Sequence, residues 1–432
     1  MKSVNIRQIW YLFMGVGLSM GVIFANDTAL LQTLYSYVPS AQRHAKFLQR
    51  LVSSNTPETV ALPQIPDREI YTAFPNLRAT VPCVQLAHLP TPVQDISTLG
   101  KQLEVGQLLI KRHDLTGDGI NFGGNKLPKL EFLLADALRN NAKTIIIFGC
   151  AGSNFVAAAA CCAQRLGLKS IAMLKPQPIA QGVRRNLLLM HQYGAQIHHS
   201  PDIATRQHAT LQAFVRNKYQ VGDLPYVIPT GGSCPLGTVG YVNAAFELKK
   251  QIEQGLLQEP DYIYVPSGSK GTAAGLILGA KVAGLKSTII PVCVEPEDKR
   301  EYPQSMLNLI KNTNQLLHDA DTSFPIIEIS EADLPIVFDC GQEPYGMFSK
   351  EGVEAMKLLQ DTEGIKLDGT YTSKAFSGLI KDARAGKLKD KKVLFWHTYC
   401  ADDQVQVKHT DYAQLPKSVH SYFTGEIQPL DR

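Results

Sequence analysis

Three short phrases carry side chains that could do chemistry together. In Gly123-Gly124-Asn125-Lys126-Leu127-Pro128-Lys129-Leu130-Glu131, two glycines let backbone come close to a ligand and a lysine stands where a helix opens. At a helix N-terminus the dipole disfavours the ammonium form and lowers the amine pKa, which favours nucleophilic attack on an aldehyde. Taken alone, GGNK is also how a turn with a solvated lysine reads. The second phrase, SGSKGTAAG from Ser267 to Gly275, follows the strand-like DYIYV and precedes a helix that begins near Thr272. Gly268 and Gly271 free backbone N–H groups, Ser269 and Thr272 supply hydroxyls, and the helix end adds partial positive charge, which together can cradle a phosphate. Its spacing is neither that of a Walker loop nor that of a GxGxxG dinucleotide site, so a monophosphate fits better than a nucleotide; a plain strand-to-helix turn is the alternative. In the third phrase, Gly149-Cys150-Ala151-Gly152-Ser153-Asn154, the Ser-Asn pair opens a helix of small residues. There it binds a carboxylate or caps the helix, and capping is the commoner fate.

The elements that must position these phrases are legible as short apolar runs: LLIKRHD, KTIIIFG, SIAML, DYIYVPSG, STIIPVCVEP and KVLFWHT. Each is apolar almost throughout, as strands of a parallel sheet buried on both faces must be. Helical patterns alternate with them, for instance Leu127, Leu130, Leu134, Ala137 and Leu138 at three and four spacing. The class is α/β, with ligands expected at the carboxyl ends of the strands, where helix N-termini point.

Taken in order, these phrases resemble the pyridoxal-5′-phosphate (PLP) dependent D-cysteine desulfhydrase and 1-aminocyclopropane-1-carboxylate (ACC) deaminase family, a fold-type II, tryptophan synthase β-like group. The resemblance runs from about Pro90 to Thr398. It rests on PTP at Pro90 to Pro92, IKRHDLTG, GGNK with KLE, GGSCPLGTVGY from Gly231 to Tyr241, Tyr345-Gly346, LDGTYTSKA from Leu367 to Ala375, and His397-Thr398. It implies two three-layer domains with mostly parallel sheets and the cofactor in the cleft between them. Residue by residue, it implies that Lys126 is the Schiff-base lysine and the base at the substrate α-carbon. Ser153 stands beside the substrate, and Asn154 hydrogen-bonds the cofactor's ring oxygen. Gly268, Ser269, Lys270, Gly271 and Thr272 form the phosphate cup, Tyr345 and Tyr371 flank the substrate, and Thr398 lies near the pyridine nitrogen.

Three departures bear on substrate choice. Phe155, a substrate-side position, follows Ser-Asn where the family has a polar residue; Pro128 replaces an arginine after GGNK; Tyr399-Cys400 replaces a glycine pair. The family's ring-opening members resemble one another in carrying a glutamate directly after the second tyrosine, able to keep the pyridine nitrogen protonated. Here that residue is Thr372, as in the desulfhydrase-like branch. A hydroxyl partner leaves a weaker electron sink, which suffices when the leaving group is a thiolate. The expected reaction is β-elimination of D-cysteine, or a related amino acid, to pyruvate, ammonia and the thiol or hydrogen sulfide. ACC deamination is the alternative, and a membrane-associated PLP-binding scaffold without turnover is an alternative of another class.

Composition sets the frame. The 432 residues, 44% hydrophobic and 19% charged, suit a two-domain globular enzyme. The net charge of +4 comes from 43 basic and 39 acidic residues scattered without a basic block, which argues against a nucleic-acid partner. Lys2 and Arg7 precede an uncharged apolar stretch over residues 9–25, shorter than the roughly 20 residues that span a bilayer comfortably. It reads as a cleaved signal peptide and alternatively as a membrane anchor, so the chain is expected to be exported to a periplasm or membrane-attached, and cytoplasmic otherwise. Eight cysteines without a CxxC pair, two of them adjacent in a helical pattern, read as buried apolar thiols and not as a disulfide framework or metal site. The expected organisation is a leader at 1–25, an extension at 26–80, a large PLP-binding domain from 81–133 and 256–432, and a small domain at 134–255. The family resemblance implies a homodimer.

Overall fold

The computed structural model of the chain describes residues 62, 64–117, 123–400, 407–408 and 411–431. The leader at residues 9–25 and the greater part of the extension lie outside the described residues. No helix among the described residues is long and apolar enough to cross a membrane.

Every run expected to be a strand forms one. The strands are β1 (Val93–Asp95), β2 (Gln107–Lys111), β3 (Thr144–Cys150), β4 (Lys169–Lys175), β5 (Gln196–His199), β6 (Tyr226–Ile228), β7 (Tyr262–Ser267), β8 (Thr288–Cys293) and β9 (Lys392–Trp396). They make two sheets, in the orders β1-β2-β9-β7-β8 and β5-β4-β3-β6. The pairing of β1 with β2 is antiparallel, and the other ladders are parallel. The strands not foreseen, β1, β5 and β6, are three or four residues long at sheet edges. The QIHH of β5 is half exposed, so it lacks the apolar run that marks a central strand.

The longer helices are α1 (Leu127–Arg139), α2 (Asn154–Arg165), α3 (Gln181–Gln192), α4 (Ile203–Val221), α5 (Pro235–Glu253), α6 (Gly271–Val282), α7 (Glu301–Ala320), α8 (Lys350–Glu363) and α9 (Thr372–Arg384). Each sheet is buried on both faces, and alternation along the strands shows it. In β9, Val393 and Phe395 enter one core with Leu108, Ile110 and Phe376, while Leu394 and Trp396 enter another with Leu109, Val239 and Leu276. In β3, Ile145 and Ile147 join the core of α1 and α2, and Ile146 and Phe148 pack with Ala213 of α4. α5 already belongs to the core of the first sheet, through Val239, Tyr241, Val242, Ala245 and Leu248. Conversely, Leu415, Val419 and Tyr422 of the C-terminal segment join the core of the second.

Two buried ion pairs fix the elements that carry the site. Arg68 pairs with Glu131 of α1, whose Oε1 also accepts the backbone N–H groups of Leu86 and Ala87 at 3.0 and 2.8 Å. Lys111 at the end of β2 pairs with Glu247 of α5 at 2.6 Å. Removing one partner of such a pair leaves a buried charge alone, at a cost of roughly 3–5 kcal/mol. All eight cysteines are thiols, seven of them buried, as their placement in the sequence implies.

Candidate active site

Parallel strands β3, β4, β7, β8 and β9 all end at one cavity of about 330 Å³, lined by Lys175 at the end of β4 and by residues just after the others: Ser153, Gly268, Glu295 and Thr398. Because the strands of both sheets stop there, the helix N-termini that follow them converge on the same space.

Lys126 lines this cavity as the residue before the first turn of α1, with its Nζ 5.3 Å from the ring centroid of Tyr371. Burial lowers its amine pKa from 10.5 to about 8, and Asp368 pulls the other way. The lowered amine matches expectation; the dominant cause is removal from water, whereas the sequence suggested the helix dipole. One turn on, Lys129 is buried too, with Nζ donating to the Gly231 carbonyl and to Ser233 Oγ, both at 3.2 Å. Burial first, and the neighbouring Lys126 second, bring it to about 7. The i, i+3 spacing in KLPK was the available signal for this second amine.

The loop expected to hold a phosphate folds into a tight cradle. A Cβ on Gly271 would lie 2.6 Å from Ser233 Oγ and 2.9 Å from Lys129 Nζ; one on Gly231, at φ +64°, would lie 2.4 Å from Ser269 Oγ. A side chain at either place would push Ser233, Lys129 or Ser269 out of the cradle, and the positive φ of Gly231 favours glycine in its own right. Ser233 Oγ donates to Ser269 Oγ at 2.8 Å, and Asn125 Nδ2 donates to Thr272 Oγ1 at 3.0 Å. Amides at the start of α6, the hydroxyls of Ser269 and Thr272 and an amine behind them fit a phosphate, and Lys126 fits an aldehyde on the same molecule. Lys270 joins the cup by backbone alone. It adopts φ +72°, where a glycine is easier, and its side chain turns away to Glu297 at 3.4 Å and over the Tyr302 ring at 4.2 Å.

Ser153 caps α2 through Val156 N–H, the commoner of its two expected uses, and also lines the cavity. Asn154 lines it as well, oriented by Asn186 Nδ2, which donates to its Oδ1 at 2.7 Å. Phe155 also lines the cavity while packing against Gly232. The hydroxyls of Tyr345 and Tyr371 lie 2.6 Å apart in the same space. Burial raises both phenols well above their ordinary pKa, so each keeps its proton. Thr398 and Tyr399 line the cavity after β9, and Cys400 Sγ accepts the N–H of Gly123 at 3.0 Å, closing the glycine turn before Lys126.

Thr372 is elsewhere. Fully buried, it donates from Oγ1 to Asp368 Oδ1 at 2.7 Å and does not line the cavity. Asp368, four residues earlier, does line it, and its carboxylate accepts the N–H groups of Thr370, Tyr371 and Thr372. The sequence reading missed Asp368, although Asp ahead of a helix start is a capping signal. It also missed Ser233, Lys175 and Glu295.

The sequence pattern of the family described as pyridoxal-phosphate dependent enzyme matches residues 84–398. The chain is 35% identical over 335 residues to D-cysteine desulfhydrase of Klebsiella pneumoniae (strain 342), covering 76% of this chain and 94% of that protein. D-cysteine desulfhydrase of Salmonella newport (strain SL254) is 36% identical over 335 residues, with 76% and 94% covered. Among solved structures, an ACC deaminase homologue aligns with a TM-score of 0.66 and 32% identity over 78% of this chain and 96% of that one. Threonine deaminase isoform 2 from Solanum lycopersicum shares the fold, with a TM-score of 0.53 at 17% identity.

Proposed function

The chain belongs to the family of pyridoxal-phosphate dependent enzymes, in its D-cysteine desulfhydrase and ACC deaminase branch, and from that premise we propose that it eliminates the β-substituent of D-cysteine or a related amino acid. The products are pyruvate, ammonia and the released thiol or hydrogen sulfide. The observation that carries this choice is the residue after Tyr371: a threonine whose hydroxyl is spent on Asp368. A threonine there, as in the desulfhydrase-like branch that the sequence resembles, brings no carboxylate from that position to a ring nitrogen, and this supports an easy leaving group over opening a carbon ring; the carboxylate that does line the cavity is that of Asp368.

PLP, when bound, supplies the electron sink. The chain's own residues supply the rest. Lys126 Nζ holds the cofactor covalently and takes the proton from the substrate α-carbon. The N-terminus of α2, with Ser153 and Asn154, receives the substrate carboxylate. The Tyr345–Tyr371 pair, both protonated, hands a proton to the departing group. Residues 268–272 hold the phosphate, with Lys129 behind them, and Thr398 accompanies the ring. We further propose that the two sheets are the cores of two lobes, that the molecule is a homodimer, and that residues 9–25 direct export.

The test is a substrate screen reading pyruvate and sulfide from D- and L-cysteine and 2-oxobutyrate from ACC. D-cysteine is expected to turn over, with ACC slower by about a hundredfold or more, since a weaker sink costs several kcal/mol at the ring-opening step. Comparable or faster turnover of ACC contradicts the choice of reaction.

Reloading of the apoprotein should also report the lysine. The neutral amine is the reactive form, so the rate of covalent cofactor capture is expected to rise with pH and level off above about 8, the value to which burial lowers Lys126. Stopped-flow absorbance follows it, and a rise continuing toward pH 10.5 contradicts the lowered amine.

A further inference from the structure

Resting on that reading of the cavity, we propose that Glu295 determines specificity for the substrate side chain, selecting α-amino acids whose β-substituent is a cation or N–H donor, of which 2,3-diaminopropionate is the simplest. β8 ends at Cys293, and two residues later Glu295 lines the cavity. Its position is tight: a Cβ on Gly268 would lie 3.1 Å from Glu295 Oε1 and 3.2 Å from Tyr371 Cε1, so carboxylate and phenol ring flank the same backbone atom.

Two of the three lysines whose charge reaches Glu295 are paired with other groups. Lys270 pairs with Glu297 at 3.4 Å, and Lys374 lies 3.3 Å from Glu343 and donates to the Val294 carbonyl at 3.2 Å. Lys175 faces the cavity beneath Tyr345, 5.9 Å from the ring centroid, and forms no ion pair among the described residues. The Glu295 carboxylate has no hydrogen-bond or ion-pair partner among the described residues; burial and Glu297 raise its pKa, and the more distant charges of Lys175, Lys270 and Lys374 pull it back only in part. A partly desolvated carboxylate facing a ligand cavity gains most from a donor that the ligand brings. A thiol is a weak donor, whereas an ammonium group makes a charge-assisted hydrogen bond.

On the proposed reading the α-carboxylate of the same substrate goes to the N-terminus of α2, which leaves Glu295 for the side chain. Elimination from 2,3-diaminopropionate breaks Cα–H, with the proton going to Lys126 Nζ. It also breaks Cβ–N, with the bond pair leaving on nitrogen as ammonia. Water then releases the α-nitrogen, so each substrate and one water give one pyruvate and two ammonia.

The test uses the cofactor-loaded protein and analogues without a β leaving group, in both enantiomers: 2,4-diaminobutyrate, its uncharged isostere norvaline, and aspartate. Dissociation constants are read from the shift of the cofactor's visible band. The cationic analogue is expected to bind about tenfold or more tighter than norvaline, the ratio for one charge-assisted hydrogen bond, and Glu295→Gln to abolish that ratio. Equal binding of the two by the wild type, or a ratio unchanged in Glu295→Gln, overturns the proposal. Tighter binding of aspartate overturns it too and gives the role to Lys175. If no amino acid yields pyruvate but the binding ratio holds, the elimination reading fails and Glu295 stands. Pyruvate from D-cysteine with equal binding of the analogues does the reverse.

Discussion

Lys126→Ala is expected to leave a folded protein that no longer carries covalently bound cofactor and that turns substrate over about a thousandfold more slowly or worse. On the proposed reading the amine has two tasks: it binds the cofactor, and it takes the α-proton. Loss of a positioned base alone costs about 10²–10⁴ in rate. The fold should tolerate the change because the buried amine is a burden to it. Its folded-state pKa of about 8 lies below the ordinary 10.5, so the folded chain binds this proton more weakly than the unfolded one. The cost is full below pH 8 and fades as pH rises toward 10.5. Alanine removes that cost, and thermal unfolding of the apoprotein at pH 7 should occur at an unchanged or higher temperature. A variant that keeps the visible band, or that unfolds, contradicts this account of the residue.

Tyr371→Phe and Tyr345→Phe are each expected to lower kcat by about 10²-fold, within the span of a single proton-transfer group, with cofactor affinity nearly unchanged. Phenylalanine keeps the ring that packs 5.3 Å from Lys126 Nζ and removes only the hydroxyl. Since the two hydroxyls touch at 2.6 Å, they act as a unit. The double variant should lose little more than either single one, as coupled groups do. Steady-state rates with D-cysteine decide the matter. Multiplicative losses show that the phenols act separately, and a large fall in cofactor affinity shows that they hold the cofactor instead.

What was legible in the sequence is what local chemistry dictates. β3 reads as TIIIFGC because both of its faces are buried, and the glycine phrases that follow strands read as ligand turns because the backbone needs them there. Lys126, Ser153, Asn154 and the loop at 268–272, read in this way, all reach the wall of one cavity. Contacts made only by folding were not legible. Ser233 meets Ser269 across 36 positions, and Lys129 reaches Gly231 across 102. Where the side chain of Lys270 goes was not legible either: it turns to Glu297 and the Tyr302 ring. Thr372 looked like a group facing the ring, yet its place in the first turn of α9 puts its hydroxyl within reach of Asp368. The pKa of Lys126 followed the expected direction for another reason, since burial depends on the whole cavity wall.

The central claim is that Lys126, and not the neighbouring Lys129, carries the cofactor. Both amines are buried and both are shifted toward reactivity, one turn apart on the same helix face. Borohydride reduction of the loaded wild-type protein, followed by peptide mapping, separates them directly. Label confined to Lys126 is the expected result; label on Lys129 or on any other lysine contradicts the account.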